Sequence, residues 1–179
     1  MAQLLATRTG SASVPGPGRW IVDPARTRVN CSGRASRLLP TVRAWFAATA
    51  GEVCIGDDPE DSGLEVTIDV GSLTTGSGAW DQALRAADPL SAAVFPVAVY
   101  RSRSIRWTVP GKAEIDGDLE LGGGSQQVPL AVSYRDDGNV VKLIATGSIV
   151  SDVPVSIPGL SYLVPRRFAL DIEAVAVPV

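Results

Sequence analysis

The sequence contains no histidine. That absence removes the commonest general base and the commonest metal ligand. It excludes Ser-His-Asp and Cys-His catalysis, and zinc or haem held through an imidazole. Lysine is nearly absent too: only Lys112 and Lys142 occur, and neither stands in a catalytic motif. Cysteine is scarce. Cys31 and Cys54 lack metal spacing and are too few for a disulfide scaffold, so they read as buried or partly buried free thiols behaving as small apolar residues. A disulfide between adjacent strands is the alternative. No apolar run approaches the roughly 20 residues of a membrane-spanning helix, so no stable membrane insertion is expected. The longest early apolar stretch, Leu4-Leu5-Ala6, is followed closely by Arg8 and is too short for an export-signal core; a cytoplasmic location is the expectation. The 16 basic residues do not exceed the 19 acidic ones, and no basic stripe interrupts the chain, which argues against a nucleic-acid partner.

What is present is an ordinary globular composition: 179 residues, 45% apolar and 20% charged. This length suits one domain with a sizeable core. Residues 1–18 form a lead-in whose second half is rich in Ser, Pro and Gly, a composition typical of a flexible tail. Residues 19–179 form the folded domain.

Inside that domain the alternation of apolar and polar residues is pervasive. Leu64, Val66, Ile68 and Val70 alternate with Glu65, Thr67 and Asp69. Val42, Ala44, Phe46, Ala48 and Ala50 share one face of the longest strand candidate, Thr41 to Ile55, with Gly51 marking a bulge or bend. Val97 to Ile105, Ala113 to Leu121, Gln127 to Tyr134, Val140 to Val150 and Arg167 to Val177 continue the pattern. Turns punctuate it: Asp23-Pro24, the acidic stretch GDDPEDSG at Gly56 to Gly63, Thr108 to Gly111, Gly122-Gly123-Gly124, and RDDGN at Arg135 to Asn139, the last carrying the Asp-Gly hairpin signal. Ala35 to Leu39 reads as one helical turn. Ser151 to Pro165 reads as a long loop with Leu160, Tyr162 and Leu163 docking back. Trp80 to Ala87 is rich in helix formers, with Trp80 and Leu84 on one face. Eight or nine strands with one short helix therefore predict an all-β antiparallel protein, either a sandwich or a closed barrel.

A set of residues in fixed order resembles the YceI-like family of lipocalin-like, polyisoprenoid-binding proteins. Trp20-Ile21-Val22-Asp23 with Arg26-Thr27-Arg28-Val29 is similar to that family's opening strand, and Thr41-Val42-Arg43 with Phe46 and Gly51 to its long second strand. Val66 to Val70, Ser72-Leu73-Thr74-Thr75-Gly76, Asp81, Leu84-Arg85, Ala87-Asp88 and Phe95-Pro96 resemble its central signature. Tyr100-Arg101-Ser102, Gly117-Asp118-Leu119 and Val128-Pro129-Leu130 follow in order. The departures lie around the helix: Trp80 stands where the family usually has Arg, Ala83 where it has His, and Gly122 to Gly124 where it has a His-Gly turn. The resemblance implies an antiparallel eight-stranded lipocalin-like barrel with one short helical insertion, a protein that binds, carries or stores an isoprenoid lipid or isoprenoid quinone. It leaves a homodimer open.

On that reading the lumen would be lined by Phe46, Val66, Ile68, Trp80, Leu84, Phe95, Tyr100 and Tyr162, with Trp80 on a lid beside the Gly-rich loop. The competing reading makes the same residues the filled core of a structural or stress-related interaction protein. Arg101, Arg103 and Arg106 offer an anionic head-group site or a solvated face paired with carboxylates. Asp57, Asp58, Glu60 and Asp61 lack the spacing of a calcium loop, and Gly122 to Gly124 lacks the Lys and helix of a phosphate loop. Asp69 and Asp81 are the carboxylates nearest the helix should the protein be an enzyme. No catalytic or metal-ligating residue is assigned, and no cofactor.

Overall fold

The computed structural model describes residues 14–151 and 165–179. The expected docking of Leu160, Tyr162 and Leu163 lies outside the described residues. Among the described residues ten strands and one α-helix follow one another: β1 (Gly18–Val22), β2 (Arg28–Gly33), β3 (Val42–Ile55), β4 (Gly63–Thr74), α1 (Gly78–Ala87), β5 (Val97–Val109), β6 (Lys112–Leu121), β7 (Gly124–Gln127), β8 (Leu130–Asp136), β9 (Val141–Val150) and β10 (Arg167–Pro178). Every pairing is antiparallel, as hairpin connections demand. The sheet runs β10-β2-β3-β4-β5-β6-β8-β9 and closes through β9 onto β10. This is a ring of eight strands, which resolves the sandwich-or-barrel choice in favour of the barrel.

The two extra strands are pieces of broken staves. β1 and β2 lie end to end between β10 and β3. Between them Asp23 turns the chain: its carboxylate accepts from the Ala25 amide at 2.9 Å and its carbonyl from Thr27 Oγ1 at 2.8 Å, and Pro24 opens a single 3-10 turn. β7 and β8 lie end to end along β6. The sequence predicts one strand over Gln127 to Tyr134; Pro129 has no amide to donate, and the stave breaks there. Val128 still donates to the Gly117 carbonyl at 2.8 Å.

Bulges reset the inward face of two strands. The β3–β4 register slips between Ala48 and Ala50. Ahead of the slip Val42, Ala44 and Phe46 point inward; beyond it Val53 and Ile55 do, and Ala50 is exposed. One inserted residue inverts the parity of everything after it. A second slip, between Ser102 and Ser104, puts Ile105 and Trp107 inside the barrel after Ala98 and Tyr100. β5 consequently runs to Val109, four residues past the expected end. Residues 35–39 form no helix, only a turn in which the Leu39 amide reaches the Ser36 carbonyl at 3.2 Å. Pro15, ahead of β1, is buried and borders the barrel interior.

The register defines two ends. At one, which we call the lid end, lie the connections 34–41, 75–96 with α1 and 122–123, together with the end of β9 and the start of β10. At the other, the turn end, lie 56–62, 110–111 and 137–140.

Candidate functional site

The inward faces of the eight staves enclose a cavity of about 950 Å³, at the top of the range of roughly 300–1,000 Å³ usual for small-molecule sites. Its wall is built from the alternation read in the sequence: Ala113, Ile115 and Leu119 on β6, Leu130 and Val132 on β8, and Leu170, Ile172 and Ala174 on β10. Small residues matter here. Where alanine and glycine face the lumen, no side chain fills it.

Tyr100 is one of the polar groups within the wall. Its hydroxyl donates to the Val128 carbonyl at 3.0 Å, and burial pushes its pKa well up. The ring fits because Gly117 lies opposite: a Cβ there would sit 2.5 Å from the Tyr100 ring and hydroxyl. Toward the turn end, Trp107 and Tyr134 meet edge to face, centroids 5.4 Å apart at 83°, a favourable aromatic geometry. Trp107 Nε1 and Tyr134 Oη are both buried without a hydrogen-bond partner among the described residues. Cys31 lines the cavity, and burial raises its thiol to about 11. Cys54 is exposed, contrary to expectation, because it follows the bulge and faces out; both cysteines are free.

The lid is held by two aspartates. Asp81, in the first turn of α1, is buried and takes three hydrogen bonds of 2.7 Å, from Thr74 Oγ1, Thr75 Oγ1 and the Thr75 amide. Those donors, Thr75 first, hold its carboxyl below the usual range, as hydrogen bonding to the ionised form must. Asp88 ends the helix in the left-handed conformation at φ 39°, and its carboxylate accepts from the Ala92 and Ala93 amides at 2.6 and 3.1 Å. The turn so formed sets Pro89, Leu90 and Ser91 at the cavity, beside Trp80 and Leu84 from the apolar face of α1.

Of the residues expected to line the lumen, Phe46, Val66, Ile68, Trp80, Leu84 and Tyr100 all line it. Phe95 does not: it is 41% exposed, and its ring packs over Gly123, where a Cβ would lie 2.7 Å from it. Tyr162 lies outside the described residues. The expectation passed over Trp107, Tyr134, Leu119 and Leu130, although the alternation of β6 and β8 already put the last two inside. Asp69 and Asp81 are not in the wall, and Asp69 spends an oxygen on the Gly71 amide at 2.8 Å. Arg101, Arg103 and Arg106 face outward and pair with Glu65 and Glu120, Asp118, and Glu114 and Asp116. They are a solvated face, as one of the two readings had it. Asp57, Asp58, Glu60 and Asp61 are exposed, and among the described residues no cluster of His, Cys, Asp or Glu could hold a metal ion. No helix among them is long and apolar enough to cross a membrane.

The sequence matches the YceI-like domain over residues 20–161. The chain belongs to the YceI-like family. A UPF0312 protein of Ectopseudomonas mendocina (strain ymp) is 33% identical over 81 residues, a stretch covering 45% of this chain and 42% of that one. Among solved structures, Burkholderia cenocepacia BcnA has the same fold with a TM-score of 0.71 at 20% identity, over 87% of this chain and 99% of BcnA. A polyisoprenoid-binding domain from Saccharophagus degradans, implicated in plant cell wall breakdown, gives 0.64 at 12% identity, over 89% and 98%. The Campylobacter jejuni YceI protein gives 0.59 at 20%, over 75% and 81%. At these identities the solved structures speak to the YceI-like fold, and the lumen to what that fold encloses here.

Proposed function

We propose that this YceI-like protein binds an isoprenoid-type lipid, quinones included, in its lumen, and serves to carry or store it rather than to transform it. The observation that carries the reading is the apolar cavity of about 950 Å³ in a barrel that a filled-core protein would have closed with larger side chains. Each buried CH₂ contributes roughly 0.8 kcal/mol, so shape and apolar lining suffice to hold a hydrocarbon tail. The polyisoprenoid-binding description of the Saccharophagus relative supports the same ligand class. The residues offered as ligand contacts are Phe46, Val66, Ile68, Trp80, Leu84 and Tyr100.

The test is direct. Protein purified from cells without detergent is extracted with organic solvent, and the extract is analysed by mass spectrometry. A prenyl lipid or quinone in stoichiometric amount is the expected result; repeated extracts at background level would sink the proposal.

A further inference from the structure

The lid end carries a charge pattern that the lumen does not explain. Arg34 and Arg37 lie in the 34–41 connection, Arg43 at the start of β3, Arg85 on α1, and Arg166 and Arg167 at the start of β10; all six are exposed. Pairing of Gly33 with Val42 and with Phe168 brings the first and last of these strands side by side, so Arg34, Arg43 and Arg167 stand on adjacent strand ends. Among the described residues the arginine ion pairs all fall elsewhere, at Arg19, Arg26, Arg101, Arg103 and Arg106. Among the described residues the acids of the lid-end connections are engaged by their own loops, Asp81 by Thr74 and Thr75 and Asp88 by Ala92 and Ala93, and Glu120 near the end of β6 pairs with Arg101. The exposed acids Asp57, Asp58, Glu60 and Asp61 lie at the opposite end. A protein of net charge -3 therefore presents a positive end.

Large apolar side chains stand among these arginines. Leu38 is 97% exposed, Val94 70%, and Phe95 and Val97 over 40% each. Exposed apolar groups rimmed by cations are the signature of a surface that meets lipid: the apolar groups enter the acyl boundary while the guanidinium groups meet head-group phosphates.

We propose that the lid end docks on an anionic phospholipid bilayer, with Leu38, Val94 and Phe95 as the inserting residues and Arg34, Arg37, Arg43 and Arg85 as the phosphate contacts. The inference rests on the lumen being a lipid site in one respect, which is purpose: α1 and the 89–91 turn border both the cavity and this surface, so docking sets the lid against the phase from which a lipid would be taken.

The experiment is vesicle flotation of the full chain with phosphatidylcholine vesicles containing phosphatidylglycerol, against pure phosphatidylcholine. It needs no lumen ligand, so its failure is separate from a blank solvent extract. Binding to the anionic vesicles that weakens as salt rises is expected. The R34Q/R37Q/R43Q variant should lose roughly a hundredfold in vesicle affinity, and Leu38→Ser should also lose affinity, while K112Q/R135Q at the turn end should bind like the parent. Circular dichroism and lumen-probe binding confirm that each variant is folded. No flotation, equal binding to neutral vesicles, or a triple variant that binds as tightly as the parent would each overturn the proposal.

Discussion

The alanine faces of the lumen can be used to ask whether the cavity is a site or an accident. Ala145 is 3% exposed, lies mid-stave on β9 between Val132 and Ile172, and borders the cavity. Ala145→Phe would place a phenyl ring in the lumen, occupying about the space of one five-carbon prenyl unit. At roughly 0.8 kcal/mol per buried carbon, displacing that unit removes about 4 kcal/mol of transfer free energy from a ligand that fills the barrel. At 1.4 kcal/mol per decade this is about a thousandfold in affinity. The same ring, entering space that holds no protein atoms, should stabilise the ligand-free protein by about 1.5–3 kcal/mol. The assay is paired: fluorescence titration with a dansylated farnesyl probe, and denaturant unfolding of delipidated protein. Weaker binding with equal or higher stability is the expected outcome. The reasoning fails if the variant binds the probe as the parent does and unfolds about 1–3 kcal/mol more easily, because that is the cost of overpacking a core already full.

Two further outcomes follow from individual hydrogen bonds. Tyr100→Phe should cost about 1 kcal/mol in chemical unfolding, since it strands the buried Val128 carbonyl, whereas Tyr134→Phe should be neutral or stabilising, since its hydroxyl has no partner to lose. Acid should release the lid before the barrel. The Asp81 carboxyl titrates below its ordinary 3.8 when folded, so the anchorage it provides is complete above that value and is lost as pH falls through the depressed one. Amide exchange across residues 78–87 should accelerate there while β6 and β8 stay protected; a lid and wall that open together would refute it.

Most of the barrel was legible because each stave has one wet face and one dry face, and alternation records that directly. Ala113 to Leu121 is the clearest case: five inward residues at even spacing with acids between them. What escaped was parity after a bulge. Ala50, Cys54, Ile105 and Trp107 all follow a register slip; Gly51 signalled a bulge in β3, but nothing in the runs of small or polar residues says which one is extra. The break in the β7–β8 stave was visible in principle, as Pro129 cannot join a ladder. Phe95 was misplaced for another reason: an aromatic after a helix looks like a lid residue, and its true neighbour, Gly123, is distant in sequence and carries no side chain to advertise the contact. The arginine collar was illegible as a unit, since its members come from four separate segments that only the register assembles.

The closure of the ring has a consequence in time. β10 bonds to β9 along its length and to both β1 and β2 on its other edge, joining the first and last strands of the described residues. A nascent chain lacking those 12 residues is an open, curled sheet with two bare edges and an unsealed apolar trough. Such long-range pairing is slow to form and exposed to aggregation until it does. The moment of sealing is also the moment at which the trough becomes a lumen, so a hydrophobic molecule present during synthesis can be enclosed as the last strand zips shut, without any later opening of the wall.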